Sequence, residues 1–385
     1  MRKFIAIVIA AVMLVSVLAG CSGNEDETDP WRLDDPDDPF DDLQDDQHGG
    51  HPHHFDFDEA FANFPPGLVM INAGEFTVDW GMLFFFLRGN INFMFPNPLE
   101  APDWSEIVDN NVTLAESILE MSVNSALMYR AVEYGAGLHG VSLSAEDIAQ
   151  QREGIMDQAD NFGGPDMFLS MLWVEDGCHS IELYEYLISI TTLATRTFNE
   201  IFGEDGELLP ISDVDEFAAE EGYMLAKHIL RAKPEDGEDT AIDEIEDILA
   251  QLRDYEGVNF ADFFNDLMIA HSEDPGGLES NPDGYLFQDG DMVPEFHEAT
   301  VALGIGEFSG IVESEFGYHI IYRLPLDLSM TPFSIAIYGG DVSLRYLAAS
   351  SAFDTLIEEW VESMPTSFSP EFNTIDVAEM FQYVS

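Results

Sequence analysis

Two histidines, an aspartate and a serine stand where they could build one polar network. His228 lies in Leu225-Ala226-Lys227-His228-Ile229-Leu230 and His319 in Glu315-Phe316-Gly317-Tyr318-His319-Ile320-Ile321-Tyr322. Each stretch sets one imidazole among alternating apolar residues, which predicts a short strand. Asp274 falls in Ser272-Glu273-Asp274-Pro275-Gly276-Gly277, a turn-forming break in a region otherwise patterned as helix, and Ser314 comes just before the second strand. On adjacent strands the two rings can hydrogen-bond through their nitrogens and fix each other's tautomer. The carboxyl then sets the local field, and the serine completes the chain. No step of such chemistry needs a cofactor, and none is expected. Either histidine alone reads as a satisfied core residue, and the pair could serve only to hold the sheet; the two together with Asp274 and an apolar socket read as a site.

The elements that must hold these residues form a module over 222–325. Helices are predicted from Asp239 to Tyr255 and across Asn259-Phe260-Ala261-Asp262-Phe263-Phe264. Upstream, Leu68 to Val78 predicts a strand with a turn at Ala73-Gly74, then an amphipathic helix from Trp80. From about Ser105 to Glu200 the period is helical, with breaks at Gly135–Gly140 and Asn161–Gly164 and a helix start at Ser144-Ala145-Glu146-Asp147. Apolar stripes there, such as Ile118, Met121, Ala126 and Met128, read as core; the alternative is an adaptable groove for unfolded chains. Downstream, a helix from Val342 to Met364 carries Leu344, Leu347, Phe353, Leu356, Ile357 and Trp360 on one face. That face is too large to leave in water, so it is expected to dock on the N-terminal helices. The tail Phe368-Ser369-Pro370-Glu371-Phe372 is expected to be irregular.

The start of the chain indicates where the module works. Arg2 and Lys3 precede an apolar run from Phe4 to Val17 that ends in Leu18-Ala19-Gly20-Cys21, the layout of a secretory signal with lipidation at Cys21. The run is shorter than the ~20 residues of a spanning helix. Acyl chains on one cysteine suffice for stable attachment, so the mature protein is expected outside the cytoplasm, lipid-anchored to the bacterial cell membrane. Cys178 is then left without a cysteine partner and is expected to be buried and structural. With 13 Lys+Arg against 75 Asp+Glu, the formal net charge is −62. Such a surface repels phosphate backbones and anionic headgroups, which excludes nucleic acid and membrane contact beyond the lipid. The acidic, proline-containing stretch to about Gln47 reads as a self-repelling linker. In His48-Gly49-Gly50-His51-Pro52-His53-His54 the imidazoles lack fixed geometry, so no purposeful metal site is expected.

Taken in order, the module's motifs resemble those of the parvulin-type peptidyl-prolyl isomerases, and their setting is similar to the PrsA- and SurA-like foldases. His228 stands in the family's Ala-x-His-Ile-Leu strand. Asp274 stands where parvulins carry a cysteine or an aspartate. Gly290-Asp291-Met292-Val293-Pro294-Glu295-Phe296 matches the Gly-x-Met-x-x-x-Phe of the proline pocket, and Gly306 to Val312 leads into Ser314 and the strand of His319. The resemblance implies an α+β architecture: a signal at 1–20, a linker at 21–66, a helical SurA-N-like chaperone domain at 67–221, an inserted parvulin domain of FKBP-like superfold at 222–325 with a small antiparallel sheet, and 326–385 completing the helical domain. It implies catalytic roles for His228, Asp274, His319 and Ser314, and a substrate socket of Met292 and Phe296 with Leu286 as a further wall. It implies as partners unfolded or newly secreted proteins with X-Pro bonds, and leaves open whether the chain is a monomer or a homodimer. The loop Lys233-Pro234-Glu235-Asp236-Gly237-Glu238-Asp239 is acidic, so a basic cradle for acidic substrates is missing. Two other readings stay in view: a client-binding chaperone whose module is silent, and a metal-scavenging surface lipoprotein.

Overall fold

The structure, a computed structural model, describes residues 54–96, 102–234 and 240–384. The signal, Cys21 and residues 22–53 of the linker, with all of the histidine tract but His54, lie outside the described residues; 54–66, expected to be linker, carry a strand and a short helix. Packing divides the chain into two units, residues up to Glu200 together with Asp354–Ser385, and Ile201–Phe353. Both divisions fall inside helices, α6 (Ile181–Phe202) and α12 (Leu344–Ser363).

In the first unit, β1 (His54–Phe55) and the short α1 (Phe57–Phe61) precede a hairpin of β2 (Val69–Ala73) and β3 (Phe76–Asp79). Its turn is Gly74 at φ 63°, and the Asp79 carboxylate accepts from the Met82 N–H at 3.0 Å to start α2 (Trp80–Met94). The predicted strand and turn are therefore followed by a second strand before the helix begins. A further hairpin, β4 (Ile107–Asp109) with β5 (Val112–Thr113), occupies a stretch expected to be helical. Asn110 and Asn111 make its turn at φ 36° and 70°, a backbone region that short amide side chains tolerate. Helices α3 (Leu114–Leu138) and α4 (Ala145–Asn161) each begin in a reciprocal capping box, Thr113 with Glu116 and Ser144 with Asp147. Then α5 (Pro165–Asp176) and α6 follow, separated at Gly177, which sits in the left-handed region at φ 73°. Ile118, Ala126 and Met128 are buried core, not groove lining.

The C-terminal segment completes this unit. Residues Thr366–Phe368, expected to be irregular, form β10, which pairs antiparallel with β2 to give the order β10-β2-β3. The Ser369 N–H continues the ladder to the Met70 carbonyl at 2.9 Å. The short α13 (Val377–Met380) buries Val377, and β11 (Tyr383–Val384) pairs with β1. Trp360 packs against α3 so closely that a Cβ on Gly135 would lie 2.2 Å from its ring.

The second unit begins with α7 (Ile211–Glu221) and is built on one antiparallel sheet of order β7-β6-β9-β8: β6 is Met224–Ala232, β7 Tyr285–Phe287, β8 Val312–Ser314 and β9 Gly317–Leu324. Helices α8 (Ala241–Arg253) and α9 (Phe260–His271) cover one face, burying Ile245, Leu249 and Phe264 against Ile229, Ile320 and Tyr322. On the other face α10 (Pro294–Ala302) brings Phe296 against Ala226, Phe287 and Ile321. Residues beyond β9 belong to this unit too: Phe333 of the short α11 (Phe333–Ala336) packs on the α10 face, and Leu344 joins Leu225 and Leu286 on the opposite one. The fold is thus α+β, with small antiparallel sheets among helices.

Candidate active site

Register places the two histidines. His228 pairs with Ile321 and Leu230 with His319, so the imidazoles rise from the same face of neighbouring strands one step apart along the ladder. They stack at 13° with Nδ1 to Nδ1 at 2.9 Å. Both are buried, as is Ser314, whose Oγ is 2.7 Å from His319 Nε2. Asp274 enters from the loop after α9, with its Oδ2 2.6 Å from His228 Nε2. All four polar residues predicted from the sequence are therefore joined in one unbroken chain.

The carboxylate is saturated with donors. Besides His228, the Tyr285 hydroxyl donates to Oδ2 at 2.8 Å, the Gly277 N–H to Oδ2 at 3.0 Å and the Gly276 N–H to Oδ1 at 3.1 Å. Burial alone would raise its pKa, but hydrogen bonds from His228 and Tyr285, the charge of His228 and the Gly277 N–H outweigh burial and bring it down to about 2. Asp274 is therefore an anion at neutral pH and donates no proton. Burial first, and His228 second, lower His319 to about 4, so it is neutral.

Counting donors fixes the end of the chain at Asp274. An ionised carboxylate only accepts, so His228 Nε2 carries hydrogen. Beyond it, one Nδ1 of the histidine pair donates to the other, and His319 Nε2 shares the next hydrogen with the Ser314 hydroxyl. Ser314 Oγ in turn accepts the Phe316 N–H at 3.1 Å.

The apolar wall lies beside this chain. The Phe296 ring meets His228 edge-on at 5.2 Å and His319 at 5.9 Å. Met292, partly buried, packs on the same cluster. Leu286 does not belong to it. Side chains alternate along β7, and Leu286 pairs with Leu225 on the helix-covered face, among Ala218, Leu225 and Leu344. Tyr285, which pairs with Ala226, takes the position on the site's face. The period-two rule applied to Tyr285-Leu286-Phe287 carries that signal, since a strand facing the site with Phe287 must also face it with Tyr285.

Elsewhere, Cys178 is buried and burial pushes its thiol up to about 12, so it is no nucleophile. Among the described residues no cluster of metal-ligating side chains occurs, and no helix is long and apolar enough to cross a membrane.

Comparison with known proteins agrees with this geometry. Residues 228–324 match the family described as Rotamase, the PPIC-type PPIase domain. Foldase protein PrsA of Halalkalibacterium halodurans is 48% identical over 60 residues, 16% of this chain and 18% of that one. PrsA of Caldanaerobacter subterraneus subsp. tengcongensis is 36% identical over 140 residues, 36% of this chain and 40% of its own. PrsA of Oceanobacillus iheyensis is 29% identical over 188 residues, 46% of this chain and 50% of its own. The chain thus spans half or less of the length of these relatives. The crystal structure of PrsA from Bacillus cereus covers 69% of this chain and 90% of that one at 19% identity with a TM-score of 0.29, a likeness on which nothing further rests. Residues 228–324 thus match the PPIC-type peptidyl-prolyl isomerase domain, and the chain that carries them is similar to PrsA foldases over part of their length.

Proposed function

We propose that this protein catalyses cis-trans isomerisation of X-Pro bonds in unfolded proteins outside the cytoplasm, with 222–325 as the isomerase domain inside the second unit and the first unit, up to Glu200 with Asp354–Ser385, as a chaperone domain. The reading is carried by one observation: an unbroken Ser314-His319-His228-Asp274 chain bordered by Phe296, inside the matched domain. Uncatalysed rotation crosses ~18–20 kcal/mol and takes tens to hundreds of seconds. No covalent bond breaks. What raises the barrier is the C–N resonance, which places partial negative charge on the carbonyl oxygen of the planar amide. Twisting returns that density to nitrogen. A fixed anion beside the carbonyl therefore disfavours the planar state more than the twisted one, which is differential binding in the sense catalysis requires. Asp274 is such an anion. Met292 and Phe296 would hold the prolyl ring and keep water from the amide, while the histidine pair holds the carboxylate's partner in one tautomer.

A protease-coupled isomerisation assay on the whole chain tests this. His228→Ala and Asp274→Ala should each lower kcat/KM by about tenfold or more with the fold intact. Met292→Ala should act mainly on KM, since it removes apolar contact. A wild-type rate equal to that in buffer overturns the enzymatic reading and leaves a silent, client-binding module.

Attachment through a lipid on Cys21 belongs to the same proposal, supported by Arg2, Lys3 and the apolar run that ends at Cys21. Cys21→Ser should leave the protein uncleaved or released. A processed variant still in the membrane fraction would rule out the anchor.

A further inference from the structure

We infer that Tyr285 is a positioning residue of this site: its hydroxyl, together with the Gly276 and Gly277 amides, holds the Asp274 carboxylate turned toward His228. The kinetic part of the inference rests on the isomerase reading; the structural part does not.

Three donors converge on Asp274 Oδ2, namely His228 Nε2 at 2.6 Å, Tyr285 OH at 2.8 Å and Gly277 N at 3.0 Å. Gly277 belongs to the same turn as Asp274 and moves with it. His228 is the group to be oriented. Only Tyr285 ties the carboxylate to a separate element, the edge strand β7. The tyrosine is itself anchored: its ring meets His228 at 5.8 Å and Phe333 at 5.4 Å.

The loop is shaped around this contact. A Cβ on Gly276 would lie 2.6 Å from the Tyr285 hydroxyl oxygen, and one on Gly277 would lie 2.7 Å from Asp274 Oδ2. Side chains at either position would push the two partners apart. Phe287 occupies the same face of β7 with no hydroxyl, so packing there asks only for an aromatic ring. The hydroxyl of Tyr285 answers to Asp274.

Tyr285→Phe in the full chain keeps the ring and removes only the oxygen. The His228 Hε2 proton, read by NMR, should move downfield, because the oxygen it donates to loses a competing donor. The value of kcat should fall by about three- to tenfold, the worth of one hydrogen bond, with KM within about twofold. Gly277→Ala, which displaces the carboxylate from the other side, should perturb the same resonance and serves if Tyr285→Phe fails to fold. An unmoved Hε2 resonance overturns the positioning role whatever the rates. A moved resonance with unchanged kcat overturns its part in the reaction. Should the wild type prove inactive, the resonance still decides the structural claim on its own.

Discussion

The polar network of the second unit and two buried polar groups of the first are treated in opposite ways. In the second, every polar side-chain atom of the Ser314-His319-His228-Asp274 chain has a partner, and the network keeps a carboxylate charged and an imidazole neutral. In the first, Asp354 Oδ1 and His179 Nδ1 are buried without a hydrogen-bond partner. Burial, then the neighbouring Glu358, raises Asp354 to about 7, and burial lowers His179. An unmade hydrogen bond in the interior costs more than a made one gains. The polar cluster of the second unit is therefore held in one arrangement by its own hydrogen bonds, whereas Asp354 marks a place where the first unit tolerates a cost for its packing.

The strongest way to separate the units is to cut the chain after Phe353. That removes β10 and the buried side chains of Ile357, Trp360, Met364, Val377 and Phe381 from the first unit. At ~1.5–3 kcal/mol each, the loss is on the order of the whole stability of a domain. The first unit should lose its cooperative unfolding transition by calorimetry while isomerase activity persists, because Phe333 and Leu344 remain on the second unit's sheet. Loss of both together would show that the units fold as one.

A milder test is Gly135→Ala. The added methyl would sit against the Trp360 ring, and overpacking of that kind costs about 1–3 kcal/mol. The first transition should drop in urea or heat with the isomerase rate unchanged. An equal drop in both transitions would contradict independent units.

The smallest effect is the most diagnostic. Folded His319 stays neutral down to about 4, while the unfolded chain takes up that proton near the ordinary 6.5. Its contribution to stability is present above pH 6.5 and is lost as pH falls toward 4. Folded Asp354 instead keeps a proton up to about 7 that the unfolded chain releases near 3.8. Its contribution is present at low pH and is lost as pH rises through 7. Between pH 7 and 5 these terms move the two transitions in opposite directions, each by on the order of 1 kcal/mol. Comparison with His319→Gln and Asp354→Asn cancels the general effect of the acidic surface; identical pH slopes for variant and wild type would remove the contrast.

Much of this was readable in the residues, and the failures have physical causes. Alternation around His228 and His319 located two strands, and family order located Asp274 and Ser314 beside them. The family resemblance implies Leu286 as a wall of the socket; the strand's pleat turns it to the helix-covered face and presents Tyr285 instead. A hydroxyl's partner cannot be seen in a sequence when that partner sits on a different loop. The Asn110-Asn111 turn was hidden because the flanking residues keep a helical period. The strand at Thr366–Phe368 was missed because it pairs, among the described residues, with β2 at the far end of the chain.

That last pairing also dictates an order of events. A polypeptide emerging from its N-terminus presents Val69–Ala73 long before Thr366–Phe368 exists to lie beside it. The residues that build the isomerase sheet all come between, so β6 can close on β9 while one edge of β2 is still bare. An unpaired edge is a template for any passing strand. During its own synthesis, then, the protein exposes the kind of hazard that a foldase exists to suppress, and it does so next in sequence to an isomerase module that can already be complete.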